Sequence, residues 1–156
     1  MIELRRMQLK DVPEVVEIDR SSFTLPWTER SFKYEIEENR AARCWVMTVD
    51  ESVASMLVLW MILDEAHIAT IATHPSFRRR GFAKQMLAKS LVSAREEGAL
   101  KALLEVRACH VVAQKIYYDL GFVEVGRRPM YYRDNGEDAV LMTLENLAGL
   151  KYAEAE

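Results

Sequence analysis

The sequence predicts an α/β (α+β) fold with a mixed, mostly antiparallel sheet of about seven strands flanked by four helices. Three β-rich runs between residues 44 and 73 are separated by a few polar residues, which is typical of an antiparallel meander. A helical pattern then separates the third run from a short apolar run at residues 101–106, so these two runs are predicted to lie parallel. The two kinds of connection together favour a mixed sheet over a doubly wound one.

The other strands follow from β-branched and aromatic composition. The predicted strands span residues 2–7, 44–49, 53–63, 67–73, 101–106, 122–133 and 139–144. The last two flank the turn at residues 134–136.

The predicted helices have recognisable starts or stops. Asp11 is predicted to cap the first helix and Thr28 the second, because their side chains can accept a hydrogen bond from the first turn. The third helix begins at Phe82 and ends at Gly98. The fourth covers residues 110–120 and is stopped by Gly121.

Composition limits the class of protein. The 156 residues, half of them apolar, predict a single domain over residues 1–144, followed by a tail at residues 145–156. We find neither a signal-peptide pattern nor an apolar run long enough for a membrane span. Two isolated cysteines, Cys44 and Cys109, fit a reducing compartment, so we expect the cytoplasm. The net charge of −3 argues against a nucleic-acid partner.

The segment at residues 78–84 is a glycine-bearing loop between a strand and a helix. The first turn of a helix has unpaired N–H groups and positive potential, which suits a phosphate. Gly81 and Ala83 let an anion approach the backbone, and no ordinary capping residue stands in the loop. Arg78–Arg80 alone would fit a solvated patch or a nucleic-acid contact, but their setting favours phosphate.

The chain contains a family pattern at this loop. Residues 78–83, RRRGFA, match the (Q/R)-x-x-G-x-(G/A) signature of the GNAT acyltransferases. Four other motifs of the chain are also similar to that family: IATHP, LLEVRA, YYDLGF and MYYRDNGEDAVLM. Together the resemblance covers about residues 2–144. Within GNAT the chain most resembles the N-terminal protein acetyltransferases, of the bacterial ribosomal-protein-alanine type and its archaeal relatives.

The resemblance implies a GNAT fold and a site for acetyl-CoA as co-substrate, with no metal. Main-chain groups of the loop would hold the CoA pyrophosphate, at Arg79, Arg80, Gly81, Phe82, Ala83 and Lys84. Ile71, Ala72 and Thr73 would align the pantetheine and the thioester. His110 stands where the bacterial branch has an asparagine that contacts CoA, and a histidine can also donate a hydrogen bond.

The resemblance also assigns reacting groups. Glu105, a carboxylate in an otherwise apolar strand, would be the general base, directly or through water; the alternative is a salt bridge to Arg107 or Arg127. Tyr117 would protonate the departing thiolate, although a helical tyrosine is otherwise a packing residue. His67 matches a histidine of the archaeal enzymes and is either a base or relay, or structural.

Four apolar or aromatic side chains would flank the groove for the peptide N-terminus, with core packing as the alternative: Leu25, Trp27, Tyr131 and Tyr132. We therefore expect acetyl transfer to a protein N-terminal α-amine, with a ribosomal protein among the candidate targets, by a monomer or weak homodimer. The alternatives are a GNAT enzyme acting on a small amine or a lysine side chain, and a non-catalytic CoA-binding module.

Overall fold

The computed structural model describes residues 1–152, which contain one seven-stranded sheet. The strands are β1 Ile2–Arg6, β2 Ala42–Val49, β3 Ser52–Ile62, β4 Glu65–Thr73, β5 Lys101–Arg107, β6 Val123–Arg128 and β7 Ala139–Leu144. Their order across the sheet is β1-β2-β3-β4-β5-β7-β6, and only β4 and β5 pair in parallel. The predicted mixed sheet, with its crossover between β4 and β5, is confirmed.

Four α-helices of the described chain cover the two faces of the sheet. They are α1 Val12–Ser22, α2 Glu29–Glu37, α3 Phe82–Glu96 and α4 Val111–Leu120. Residues of α3 and α4 belong to one apolar core, which contains Met86, Leu91 and Leu120. Residues of α1 and α2 belong to a second core on the other face, which contains Ile18 and Phe32.

The two parallel strands separate soon after they pair. Glu65, Ala66 and His67 of β4 pair with Lys101, Ala102 and Leu103 of β5, and then both strands continue without pairing. On its other side, β4 carries a β-bulge against β3. Val58 pairs with Thr70 and Leu59 with Ile68, so Ala69 has no partner on β3. A bulge increases local strand twist, and here it lies at the point where the cleft opens.

Two loops border the cleft on the side of the second core. The α1–α2 loop, residues 23–28, follows the C-terminus of α1, and the Thr28 side chain accepts the predicted capping bond from the Ser31 N–H. The β6–β7 loop, residues 129–138, is longer than predicted because β6 ends at Arg128. Pro129 has no N–H for the sheet and Met130 has a φ of 52°, so the strand predicted to reach residue 133 stops early.

The predicted cap at Asp11 is also corrected. The Asp11 carboxylate makes no capping bond to α1. It accepts from the Gln8 N–H at 2.7 Å and from both terminal nitrogens of Arg5, at 2.7 and 2.8 Å. A nearby arginine on the preceding strand therefore engages the carboxylate that local sequence assigned to the helix.

The chain beyond β7 packs back onto the first core. Leu147 lies in a short 3₁₀ turn at Leu147–Gly149 and is buried, and the Lys151 N–H donates to the Leu120 carbonyl at 2.9 Å. Residues 153–156 of the predicted tail lie outside the described residues. Within the described range, the helices are all too short or too polar to cross a membrane.

Candidate active site

The separation of β4 and β5 forms a cleft with two connected cavities. The first has a volume of about 260 Å³ and is lined by Ile71 and Tyr117, and by Glu105 of β5. The second, about 580 Å³, is lined by His67 and Tyr131 and shares Glu105 with the first. Strand backbone groups alternate between the two edges of a strand, so those of β4 that face away from β3 point into the cleft. The cleft therefore offers backbone donors together with a phenol and a carboxylate.

The loop before α3, where the sequence predicts an anion site, leaves open space at the helix N-terminus. Gly81 precedes α3 with a φ of +79°, and a Cβ added at this position would meet no atom within 4 Å. No side chain caps the helix. The first-turn N–H groups are thus accessible through a space that a side chain at position 81 would fill, and this geometry fits a pyrophosphate.

The charged residues of this loop differ in their contacts. Arg78 is used within the protein, since its side chain donates to the Thr73 carbonyl at 3.1 Å and to the Ser22 hydroxyl at 3.3 Å. The Arg80 guanidinium lies 5.4 Å from the centre of the Phe77 ring, and Lys84 lies 3.9 Å from Asp119. Arg79, with a φ of 66°, is exposed. Arg79, Arg80 and Lys84 remain at the surface near the loop.

The other residues predicted to bind the donor differ in where their side chains lie. Ile71 and His110 line the first cavity. Ala72 is buried in the second core, and the Thr73 hydroxyl lies 2.7 Å from that of Ser55. Phe82 is buried in the first core, so its predicted contribution could come only from its backbone. Ala72 and Thr73 likewise have only their backbone available to a ligand in the cleft.

Tyr117 is a buried tyrosine that faces the cleft. Its side chain, on α4, is buried at 8% exposure, yet it lines the first cavity. Burial raises the pKa of Tyr117 to about 12, so the phenol keeps its proton near neutral pH. Its sequence neighbour Tyr118 is 47% exposed and lines neither cavity. Burial and contact with the cavity therefore distinguish Tyr117 from its sequence neighbour.

Glu105 lies in the cleft, but its surroundings differ from the prediction. We predicted a carboxylate that is costly to bury; instead the strands have separated and the residue is exposed. Its ion-pair partner is Arg128, at 3.6 Å, and neither Arg107 nor Arg127. The Tyr131 hydroxyl faces the same carboxylate, which raises the pKa of Tyr131. Glu105 is thus accessible to an incoming cation.

His67 lines the second cavity and is paired with a carboxylate. Its Nε2 atom lies 2.8 Å from Oε1 of Glu65, which also pairs with Lys101 at 3.0 Å. These two contacts lower the pKa of Glu65, and the hydrogen bond with His67 has the larger effect. The imidazole is therefore oriented by its neighbour, as a relay histidine requires.

Aromatic side chains form one wall of the cleft. The Trp27 ring stacks on Trp60 with centroids 6.3 Å apart and lies 5.2 Å from Phe32. Leu25 is 60% exposed and lines the first cavity. Tyr132 lines both cavities, and burial raises its pKa to about 12. All four predicted groove residues, Leu25, Trp27, Tyr131 and Tyr132, line the cleft.

Sequence reasoning missed several groups at the cleft. Asp19 is completely buried and accepts from the Trp27 N–H at 2.6 Å, and burial raises its pKa. Trp60 stacks on Trp27 and donates to Glu35 at 3.1 Å. Arg128 pairs with Glu105. The acidic residue inside the apolar face of α1 was a signal for Asp19, whereas Trp60 and Arg128 depend on tertiary contacts.

Two further chemistries find no support in the described chain. Hydrogen bonding to Glu137 raises the pKa of the Cys109 thiol, which disfavours the nucleophilic thiolate. Within residues 1–152, no three His, Cys, Asp or Glu side chains are grouped to hold a metal ion.

The mixed sheet, the diverging parallel strands and the open helix N-terminus define an acyl-CoA-dependent N-acyltransferase. Residues 12–122 match the Acetyltransferase (GNAT) family, and the chain belongs to this family. It is an N-acetyltransferase with acetyl-CoA as donor, which confirms the predicted family, fold and enzyme class.

Named relatives share nearly the whole chain. It is 37% identical over 139 residues to a candidate ribosomal protein bS18-alanine N-acetyltransferase of Bacillus subtilis (strain 168), covering 89% of this chain and 92% of the relative. Its structure is similar to the ribosomal-protein-S18-alanine N-acetyltransferase from Escherichia coli, with 26% identity, a TM-score of 0.85 and coverage of 100% and 98%. It is also similar to Ard1 from Thermoplasma volcanium, with 29% identity, a TM-score of 0.82 and coverage of 91% and 95%.

Proposed function

We propose that this enzyme acetylates the N-terminal α-amine of a protein, with a ribosomal protein as a candidate target in the cytoplasm. One observation carries the proposal: a single cleft has Tyr117 in one cavity and aromatic loop residues in the other, with Glu105 lining both. The relatives named for alanine N-terminal acetylation support the same acceptor. We further propose residues 1–144 as the catalytic domain.

The donor would bind with its pyrophosphate at the loop before α3 and its thioester beside β4. Main-chain groups of Arg79–Lys84 hold the anion, and cleft-facing N–H groups of β4 near the bulge polarise the thioester carbonyl. His110, exposed at the start of α4, contacts the CoA chain from the α4 side of the first cavity, across from β4. This leaves the acetyl group where the two cavities meet.

The acceptor amine would enter between the two loops, past Trp27 and Tyr131. Glu105 removes a proton from the amine, directly or through water, and His67 serves as a relay on the same side. The neutral amine attacks the thioester in a ternary complex, which removes the entropic cost of a bimolecular encounter. As the C–S bond breaks, Tyr117 donates its proton to the sulfur, and the second proton that the amine nitrogen loses on becoming an amide returns the tyrosinate to its neutral form through water.

A peptide and amine panel tests the acceptor. The full chain is incubated with acetyl-CoA and short peptides that differ in their first two residues, with Nα-blocked peptides containing lysine, and with polyamines. We expect acetylation at the α-amine only, located by tandem mass spectrometry. Acetylation of the lysine side chain or of a polyamine in preference to every free N-terminus would overturn the proposal.

A further inference from the structure

Arg107 connects β5 to the β6–β7 loop through contacts that have no part in the proposed reaction steps. One terminal nitrogen, Nη2, donates to Asp134 Oδ2 at 2.9 Å, and the other, Nη1, donates to Asp134 Oδ1 at 3.1 Å. Nη1 also donates to Glu137 Oε1 at 3.4 Å. The Arg107 side chain is only 14% exposed. This bidentate, largely buried contact differs from the exposed ion pairs that contribute little to structure.

The same contacts reach two other segments. The Thr24 hydroxyl, in the α1–α2 loop, donates to Asp134 Oδ2. Glu137 Oε2 accepts from the Cys109 N–H at 2.6 Å, directly before α4. We call Thr24, Arg107, Asp134 and Glu137 the clasp. It joins both acceptor-side loops to β5 and to the start of the helix that carries Tyr117.

The clasp also holds an aromatic wall of the cleft. The Arg107 guanidinium lies 4.0 Å from the centre of the Tyr132 ring, a distance typical of a stacked cation–π contact. Tyr132 lines both cavities. Residues 129–138 contain no strand or helix, and the Tyr132 backbone is held within the loop by its N–H, which donates to the Glu137 carbonyl, and by its carbonyl, which accepts from the Gly136 N–H. The Arg107 contact is what ties the Tyr132 ring to β5.

We propose that Arg107 is a positioning residue for the acceptor, which sets the spacing between the α1–α2 and β6–β7 loops and fixes Tyr132 between them. The inference rests on the proposed function, because it takes these loops as the acceptor's entrance. A residue that only stabilises the fold would change thermal stability without separating acceptor from donor kinetics. The clasp predicts such a separation.

The kinetic test compares R107Q and R107K with wild type and with R43Q. Arg43 is a matched control, since it pairs with both oxygens of Glu97 at 3.0 and 3.1 Å from its Nε and lines neither cavity. We expect R107Q to lower kcat/KM for the acceptor by about 10- to 100-fold, because misplacement of about 1 Å has effects of that size, and to leave acetyl-CoA affinity unchanged. A lysine keeps the positive charge but lacks the two-pronged guanidinium, so R107K should retain part of the acceptor kcat/KM that R107Q loses.

Hydrogen exchange gives a readout independent of the acceptor. In R107Q the amides of residues 129–138 and 23–28 should exchange faster, while those of residues 79–84 stay as in wild type; R43Q should change neither loop. The positioning role of Arg107 would be overturned if R107Q kept wild-type acceptor kinetics or wild-type exchange in the two loops.

The failure of the proposed function is a separate outcome. If the wild-type enzyme acetylates another amine, the proposed function is wrong, and the role of Arg107 is then tested with that amine as acceptor. If R107Q does not fold, both measurements are made on D134N, which keeps the side-chain size.

Discussion

The proposed donor and acceptor halves of the site are built in different ways. The donor half is one continuous loop, in which Gly81 and the first turn of α3 present backbone N–H groups. The acceptor half is assembled from side chains of distant segments, with Trp27 from one loop, Tyr132 from another and Glu105 from β5. A backbone site is encoded locally, whereas a side-chain site depends on the whole sheet. The two halves should therefore respond differently to substitution.

The largest effect is expected where the halves meet. Tyr117→Phe removes the proposed proton donor, so we expect kcat to fall by about 100-fold or more, in the range for loss of general acid catalysis. Acetyl-CoA affinity should stay unchanged, as measured by calorimetry. Tyr118→Phe, on the same helix but exposed, is the control and should turn over normally. Normal turnover by Tyr117→Phe would remove the acid assignment.

A pair of glycine substitutions distinguishes the halves directly. Gly81 and Gly136 have φ values of +79° and +72°, and both have open space where a Cβ would lie. Left-handed backbone costs a residue with a Cβ about 1–2 kcal/mol, so in Gly81→Ala the free loop should relax away from the conformation that binds the anion, and acetyl-CoA binding should weaken by about tenfold. Gly136→Ala should instead raise the acceptor KM. Gly98→Ala, at +108° and away from the cleft, controls for strain alone.

The opposite pattern would break the comparison between the halves. If Gly136→Ala weakened acetyl-CoA binding and Gly81→Ala raised only the acceptor KM, the donor and acceptor assignments would have to be exchanged. Direct binding measurements and initial-rate kinetics on the same preparations decide this.

Glu105→Gln should have a smaller effect that depends on pH. A terminal α-amine has a pKa near 7.7–8.0, so less of it is uncharged as the pH drops below 7. The general base should therefore matter most at low pH. We expect kcat/KM to fall by about tenfold near pH 6.5 and little near pH 9, within the range of general base effects. A parallel pH–rate profile in the variant and wild type would exclude Glu105 as the base.

The smallest expected effect is on acid stability. The hydrogen bonds that Glu137 accepts lower its pKa from 4.5 to about 2. Cys109 makes the largest contribution, and Arg107 also contributes. A depressed carboxylate pKa contributes stability that is present above pH 4.5 and is lost as pH falls towards about 2. The difference in unfolding free energy between wild type and Glu137→Gln should therefore shrink across this window in urea titrations. Glu17→Gln, exposed on α1, is the control, and a constant difference for Glu137→Gln would contradict the prediction.

The contrast between the halves also explains what could be predicted from sequence. The loop at Gly81, the stops at Gly98 and Gly121 and the cap at Thr28 depend on neighbouring residues, and the structure has each of them. The antiparallel meander and the parallel crossover followed from connection lengths, whereas the position of β7 between β5 and β6 was not predicted. Local information failed at Asp11, because Arg5 on β1 engages its carboxylate.

The acceptor side was predicted less well for the same reason. Glu105 was identified, but its exposure and its partner Arg128 depend on where β5 separates from β4 and where β6 ends. Asp19 and Arg107 act through loops that are distant in sequence. Pattern and resemblance selected four residues that line the cleft, and the contacts that hold them in place required the tertiary structure.

The unpaired residue of β4 makes the length of that strand as important as its composition. Ala66 and Ile68 pack on the first core two positions apart, but the next residue of β4 on that side is Ile71, three positions further on. Ala69 shifts the alternation by one, so that Ala72 reaches the second core. Deleting Ala69 would let Ile68 and Thr70 alternate regularly, so later residues would keep their faces, but the bulge that twists β4 where the cleft opens would be lost. Replacing Ala69 by another small residue would keep the bulge. Related sequences should therefore tolerate exchange at this position and keep the spacing between His67 and Thr73, because that spacing preserves the opening of the cleft.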